Sequence, residues 1–111
     1  MAKLLEDLRE TLFRGLMRSR KGLRERRMPA RKALPDLFEA QTGLREYTRE
    51  NPDDEAGWRL CAQAEECLTN YTAALRCLER AMELSGQRSR EDLKTLARLR
   101  EHAIESRRKK P

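Results

Sequence analysis

Aromatic residues make up only 5% of this 111-residue sequence, which also has just five glycines and four prolines. So few turn-forming residues do not suit the repeated hairpins of a small all-β domain, and no long stretch alternates apolar and polar residues. No apolar run approaches the roughly 18 residues that a membrane-spanning helix needs. The sequence therefore predicts neither a β-domain nor a membrane span.

Cysteine and histidine are also scarce. Cys61, Cys67 and Cys77 lack C-x-x-C spacing, and the single histidine, His102, lies far from them in the sequence. This set suits neither a disulfide framework nor a zinc site, and the N-terminus has no apolar secretory core. We therefore expect a cytoplasmic protein without a metal or other cofactor, in which Cys67 is partly exposed.

Sequence signatures of catalysis are missing as well. There is no nucleophile elbow, glycine-rich phosphate loop or metal-ligand spacing. His102 is expected on an exposed face of a charged C-terminal helix, and Asp53 and Asp54 are well placed to start a helix. The sequence thus predicts a protein that is not an enzyme.

Charge is abundant, at 40% of all residues with a net value of +6. Residues 1–34 carry eleven Lys/Arg and four Asp/Glu, residues 88–111 carry nine and four, and the residues between them are acidic overall. Basic ends can attract nucleic-acid phosphates, anionic membranes or an acidic surface of this or a neighbouring molecule. They can equally serve as solvated faces that keep a small helical protein soluble.

Apolar residues recur every three or four positions, which predicts an all-α protein. Start and stop signals such as Pro35 and Gly86 divide this pattern into helices. The five predicted helices span residues 3–27, 36–50, 54–68, 71–85 and 89–105. They form a basic amphipathic N-terminal helix within 1–28 and a helical domain over 35–105, and we expect residues 106–111 to be a disordered basic tail.

Residues 55–86 resemble a tetratricopeptide repeat (TPR), whose signature is W-x2-L-G-x2-Y followed by A-x3-F at a period near 34 residues. The first group is occupied by Trp58, Cys61, Ala62 and Glu65, and the second by Ala74 and Leu78. Glu65 departs from the tyrosine that the family favours. Pro52 stands where a preceding repeat would close, so the resemblance implies one full repeat between two partial ones in an antiparallel helical solenoid.

In such repeats small residues let antiparallel helices approach and large residues fill the spaces beside them. The resemblance assigns this scaffold role to Trp58, Ala62, Tyr71, Ala74, Leu75, Leu78 and Ala81. Because a solenoid normally stacks three or more repeats, something must cover the ends of this one. The candidates are the first helix folding back, the fifth helix acting as a cap, or a second copy in a homodimer.

TPR proteins bind peptides or protein segments on the concave surface formed by the first helix of each repeat. By resemblance, that groove would contain Arg59, Gln63, Glu66, Cys67, Arg90 and Lys94, whose donors could hold a carboxylate or an acidic segment. The resemblance thus predicts a protein-interaction module or adaptor with a protein or peptide partner. Sequence-independent nucleic-acid binding through the basic termini is the alternative, and a membrane-surface helix at residues 3–27 is a third interpretation.

Overall fold

Within the part of the chain that the structure describes, five α-helices and one short 3-10 helix contain most of the residues. The computed structural model describes residues 4–18 and 31–108, and no strand occurs among them. The helices are α1 Leu5–Arg18, α2 Leu34–Glu50, α3 Glu55–Cys67, α4 Tyr71–Ser85 and α5 Arg90–Arg108, and the 3-10 helix, Arg31–Ala33, precedes α2. The all-α prediction is confirmed.

Local sequence explains where these helices begin and end. The Asp54 side chain accepts a hydrogen bond from the Gly57 amide at the start of α3, at 3.3 Å, and Ser89 Oγ accepts one from the Asp92 amide at the start of α5, at 3.0 Å. Gly86 ends α4 in the left-handed backbone region, with φ of 69°. The predicted bounds of α2, α3 and α4 agree with the structure to within two residues.

The first and last helices differ more from their predicted bounds. α5 continues to Arg108, so residues 106–108 are helical rather than part of a disordered tail. Arg107 and Arg108 lie in its last turn, where positive charge interacts favourably with the helix dipole. The predicted helix 3–27 is observed over Leu5–Arg18, and the prediction for residues 19–27 lies outside the described residues.

The α1 helix folds back against α2 through two glycines. Leu8 of α1 lies against Gly43 of α2, and Leu37 of α2 lies against Gly15 of α1, so the helices are antiparallel. A Cβ atom on Gly15 would meet Leu37 Cγ at 2.7 Å, and both leucines are fully buried. The first helix therefore covers α2 within a single molecule, which is one of the arrangements that the sequence left open.

Each helix packs on the next one along the chain, and the α3–α4 pair makes the most extensive contact. The predicted small residues of this pair, Ala62, Ala74 and Ala81, are all buried. The larger predicted scaffold residues Trp58, Tyr71 and Leu75 are partly buried and pack against the hydrophobic core, to which Leu78 also belongs. This succession of antiparallel neighbours brings α3 and α5, which are not consecutive, to the same side of α4.

Candidate binding surface

Two ion pairs join α3 to α5. Arg59 donates from Nη1 and Nη2 to the two carboxylate oxygens of Asp92, at 2.7 and 2.9 Å. Arg98 Nη2 lies 2.9 Å from Glu66 Oε2. Since residue numbers rise from one pair to the other along both helices, α3 and α5 run parallel. The partners are 33 and 32 residues apart in the sequence, close to the period of the repeat.

Two of the six predicted groove residues, Arg59 and Glu66, form ion pairs that hold α3 against α5. Arg59 also donates from Nε to Glu55, at 2.7 Å, so all three of its guanidinium nitrogens bind carboxylates of the protein. These bonds raise the pKa of Arg59 above its ordinary value. Glu66 is bound to Arg98 in the same way. In this structure, Arg59 and Glu66 set the relative position of α3 and α5.

The other four predicted groove residues, Cys67, Gln63, Arg90 and Lys94, differ from one another in exposure. The expectation that Cys67 is partly exposed is wrong, because only 3% of this residue is accessible to solvent. By contrast, Gln63, Arg90 and Lys94 are exposed, and neither Arg90 nor Lys94 has an ion pair with another described residue. We call the surface formed by α3 and α5 the α3–α5 face: the Arg59–Asp92 and Glu66–Arg98 pairs join its two helices, and Gln63, Arg90 and Lys94 are its exposed donors.

The Arg59–Asp92 pair makes stability depend on pH. The hydrogen bonds from Arg59 hold the pKa of Asp92 below its ordinary value. This stabilisation is therefore present above the unfolded-state pKa, about 3.9, and is lost as the pH falls through the lower folded-state value. We expect Asp92→Asn to lower the free energy of unfolding at neutral pH by about 1 kcal/mol, because Arg59 is a third exposed and screened by solvent.

Urea unfolding followed by circular dichroism, at neutral pH and through the acid range, measures both effects. Asp92→Asn should lose less stability on acidification than the unmodified protein does. Glu91→Gln is the matched control, since Glu91 is the exposed neighbour of Asp92 on the same helix. An acid transition in Asp92→Asn as steep as that of the unmodified protein contradicts this role of the pair.

A buried carboxylate, Glu65, links α2 to α3. Only 2% of this residue is exposed. It accepts hydrogen bonds from Gln41 Nε2 at 2.6 Å, from Arg45 Nε and Nη2 at 2.8 and 3.0 Å, and from Asn70 Nδ2 at 3.2 Å. The bonds to Glu65 raise the pKa of Arg45. Sequence reasoning missed this cluster, although Gln41 and Arg45, one turn apart on α2, are donors on a single helix face.

His102 lies on the buried side of α5, so the prediction that it is exposed is wrong. The residue is 7% exposed, and neither ring nitrogen has a hydrogen-bond partner among the described residues. The Tyr71 ring meets the imidazole edge-on, with 5.0 Å between ring centroids. Asp92, Leu96 and Leu99 precede His102 along the same buried stripe at helical spacing, which is the signal that could have located it.

All three thiols are buried, and two of them, Cys61 and Cys67, are poor nucleophiles. Burial raises the pKa of Cys67 to about 12. A hydrogen bond to Cys77, together with burial, raises the pKa of Cys61. Little reactive thiolate is therefore present on either cysteine at neutral pH. Within the described residues, no group of three or more His, Cys, Asp or Glu is placed to bind a metal ion.

Comparison with models of known protein families, with curated proteins and with solved structures gives no match for this chain. The resemblance to a TPR therefore depends on the residues quoted above. No helix in residues 4–18 or 31–108 has the length and apolar character needed to cross a bilayer. Five of the eleven Lys and Arg residues in 1–34, to which the nucleic-acid alternative assigns a role, fall in 19–30, outside the described residues.

Proposed function

We propose that this protein is a non-enzymatic interaction module that binds an acidic protein segment on the α3–α5 face. The observation that carries the proposal is the pairing of α3 with α5. Two ion pairs fix these helices in parallel, one repeat period apart, while the donors of Gln63, Arg90 and Lys94 stay exposed. A surface fixed before binding loses less conformational entropy when a partner docks.

The chemistry of this face favours an acidic partner. Arg90 and Lys94 lie one helical turn apart on α5, and Gln63 supplies an amide donor from α3. Leu93, 44% exposed, is close to both basic residues in sequence and offers apolar contact area beside them. Arg59 and Glu66 position the two helices, and Cys67 supports α3 from within the core. Exposed positive charge of this kind speeds association with acidic segments.

The test measures binding of short acidic peptides from an array by fluorescence anisotropy. Arg90→Glu combined with Lys94→Glu should weaken binding of the selected peptides by about tenfold or more, which corresponds to roughly 1.4 kcal/mol or above. Arg49→Glu combined with Arg100→Glu is the matched control, because both residues are exposed and the pair changes the net charge equally, while Arg49 lies on α2 and Arg100 lies on the side of α5 next to Met82 of α4. The control should bind like the unmodified protein.

Two results count against the proposal. One is the absence of any peptide on the array that binds the unmodified protein. The other is an equal loss of binding in the two double variants, because net charge rather than the α3–α5 face would then determine affinity. Circular dichroism of every variant establishes that helical content is retained.

A further inference from the structure

A cavity of about 430 Å³ lies where α2, α4 and α5 meet, and it includes no residue named for the α3–α5 face. This volume is within the range of small-ligand clefts, roughly 300–1,000 Å³. Three arginines from three helices line it: Arg45 of α2, Arg76 of α4 and Arg107 of α5. The described residues around the cavity include no Asp or Glu. It is therefore a concave site with positive charge on several sides.

Each of the three arginines has fewer ion pairs with described residues than Arg59 has. Arg76 and Arg107 are exposed and have no ion pair with any described residue. Arg45 is held through Nε and Nη2 by Glu65, which leaves its Nη1 available. Gathering like charges around one cavity costs free energy unless an anion offsets it. The planar guanidinium groups present donors in the geometry that phosphate oxygens accept.

Neutral donors in the same cavity add to this character. Thr72 and Ser106, whose side chains carry hydroxyl groups, line it, as do other residues of the first turn of α4. That turn contains no acidic residue, and its amides donate no hydrogen bond to the side chain of Asn70, the residue that precedes the helix. Its backbone amides therefore contribute further positive potential beside the arginines.

We propose that this cavity binds a phosphate monoester, with Arg76 and Arg107 as the main contacts and Arg45, oriented by Glu65, as a third donor. Hydroxyl groups of Thr72 and Ser106 complete the shell around the phosphate oxygens. The phosphate can belong to a phosphorylated side chain of a partner protein or to a small phosphorylated metabolite. This site goes beyond the acidic-segment surface, since the two use different residues.

Titration of the full-length, ¹⁵N-labelled protein with inorganic phosphate and with phosphoserine tests the site directly. Both probes should produce saturable shifts of the Thr72 and Ala73 amide resonances. Arg76→Gln combined with Arg107→Gln should weaken binding by about tenfold or more, since two charge-assisted contacts are removed. Arg49→Gln combined with Arg100→Gln, which removes two exposed charges outside the cavity, should leave the affinity unchanged.

Further probes separate the two sources of phosphate. Tighter binding of a phosphoserine peptide than of a sugar phosphate assigns the site to a protein partner, and the opposite order assigns it to a metabolite. The proposal is overturned if the Thr72 and Ala73 resonances show no saturable shift, or if both double variants weaken binding equally. Binding of a DNA duplex alone also overturns it in favour of nucleic-acid recognition. Acidic-peptide binding should survive Arg76→Gln with Arg107→Gln, so the two proposals fail independently.

Discussion

Replacement of Glu65 by alanine is expected to lower the free energy of unfolding by about 3 kcal/mol. Breaking a buried ion pair from one side typically costs 3–5 kcal/mol, and the value here falls at the lower end because the Arg45 side chain is half exposed. Glu65→Ala also leaves the buried Gln41 amide without its 2.6 Å acceptor. Urea unfolding followed by circular dichroism measures the loss.

Two comparisons test whether this loss of stability comes from the hydrogen bonds of Glu65. Glu79→Ala removes an exposed carboxylate from α4 and should change stability by less than about 0.5 kcal/mol. In a double-mutant cycle, Arg45→Ala should cost less in the Glu65→Ala background than alone, with a coupling energy of about 1–2 kcal/mol. A loss below about 1 kcal/mol for Glu65→Ala, or independent effects of the two substitutions, would refute this account of the cluster.

Glu65 shows what the spacing of apolar residues can and cannot predict. Apolar spacing and capping residues are local properties, so they were enough to place α4 at Tyr71–Ser85, and α2 and α3 to within two residues. Glu65 was visible only as a departure from tyrosine. Its partners lie 20 and 24 residues upstream, and no local pattern states which turns of two helices will face each other.

Predictions about individual sites failed for a related reason. His102 is a polar residue with charged neighbours, so residue type favoured its exposure, whereas Cys67 was placed in the groove by the resemblance to a TPR. Helix packing decided otherwise, because both occupy the inward side of their helices. Arg59 and Gln63 of the predicted groove share one face of α3, but Asp92 of α5 binds the arginine. The sequence predicts which residues share one face of a helix. Tertiary contacts determine which of those helix faces stay exposed to solvent.

The contact of α1 with α2 gives the second large expected effect. Gly43→Val places new methyl groups where Leu8 lies, and overpacking of this kind costs about 2 kcal/mol after the small gain in helix propensity. Leu8→Ala removes a fully buried side chain and should cost about 3 kcal/mol. In the double variant the valine occupies space that Leu8 vacates. The double variant should therefore lose much less free energy of unfolding than the two single variants lose in sum.

Gly43→Val with Leu12→Ala is the matched control. Leu12 is as deeply buried on α1 but is not among the nearest neighbours of Gly43, so these two losses should add to within about 0.5 kcal/mol. Equal additivity in both pairs would contradict the Leu8–Gly43 contact. The concentration dependence of the melting temperature then separates folding-back from a homodimer. Melting that is independent of protein concentration is expected if α1 packs within its own chain, whereas packing against a second copy would raise the melting temperature with concentration.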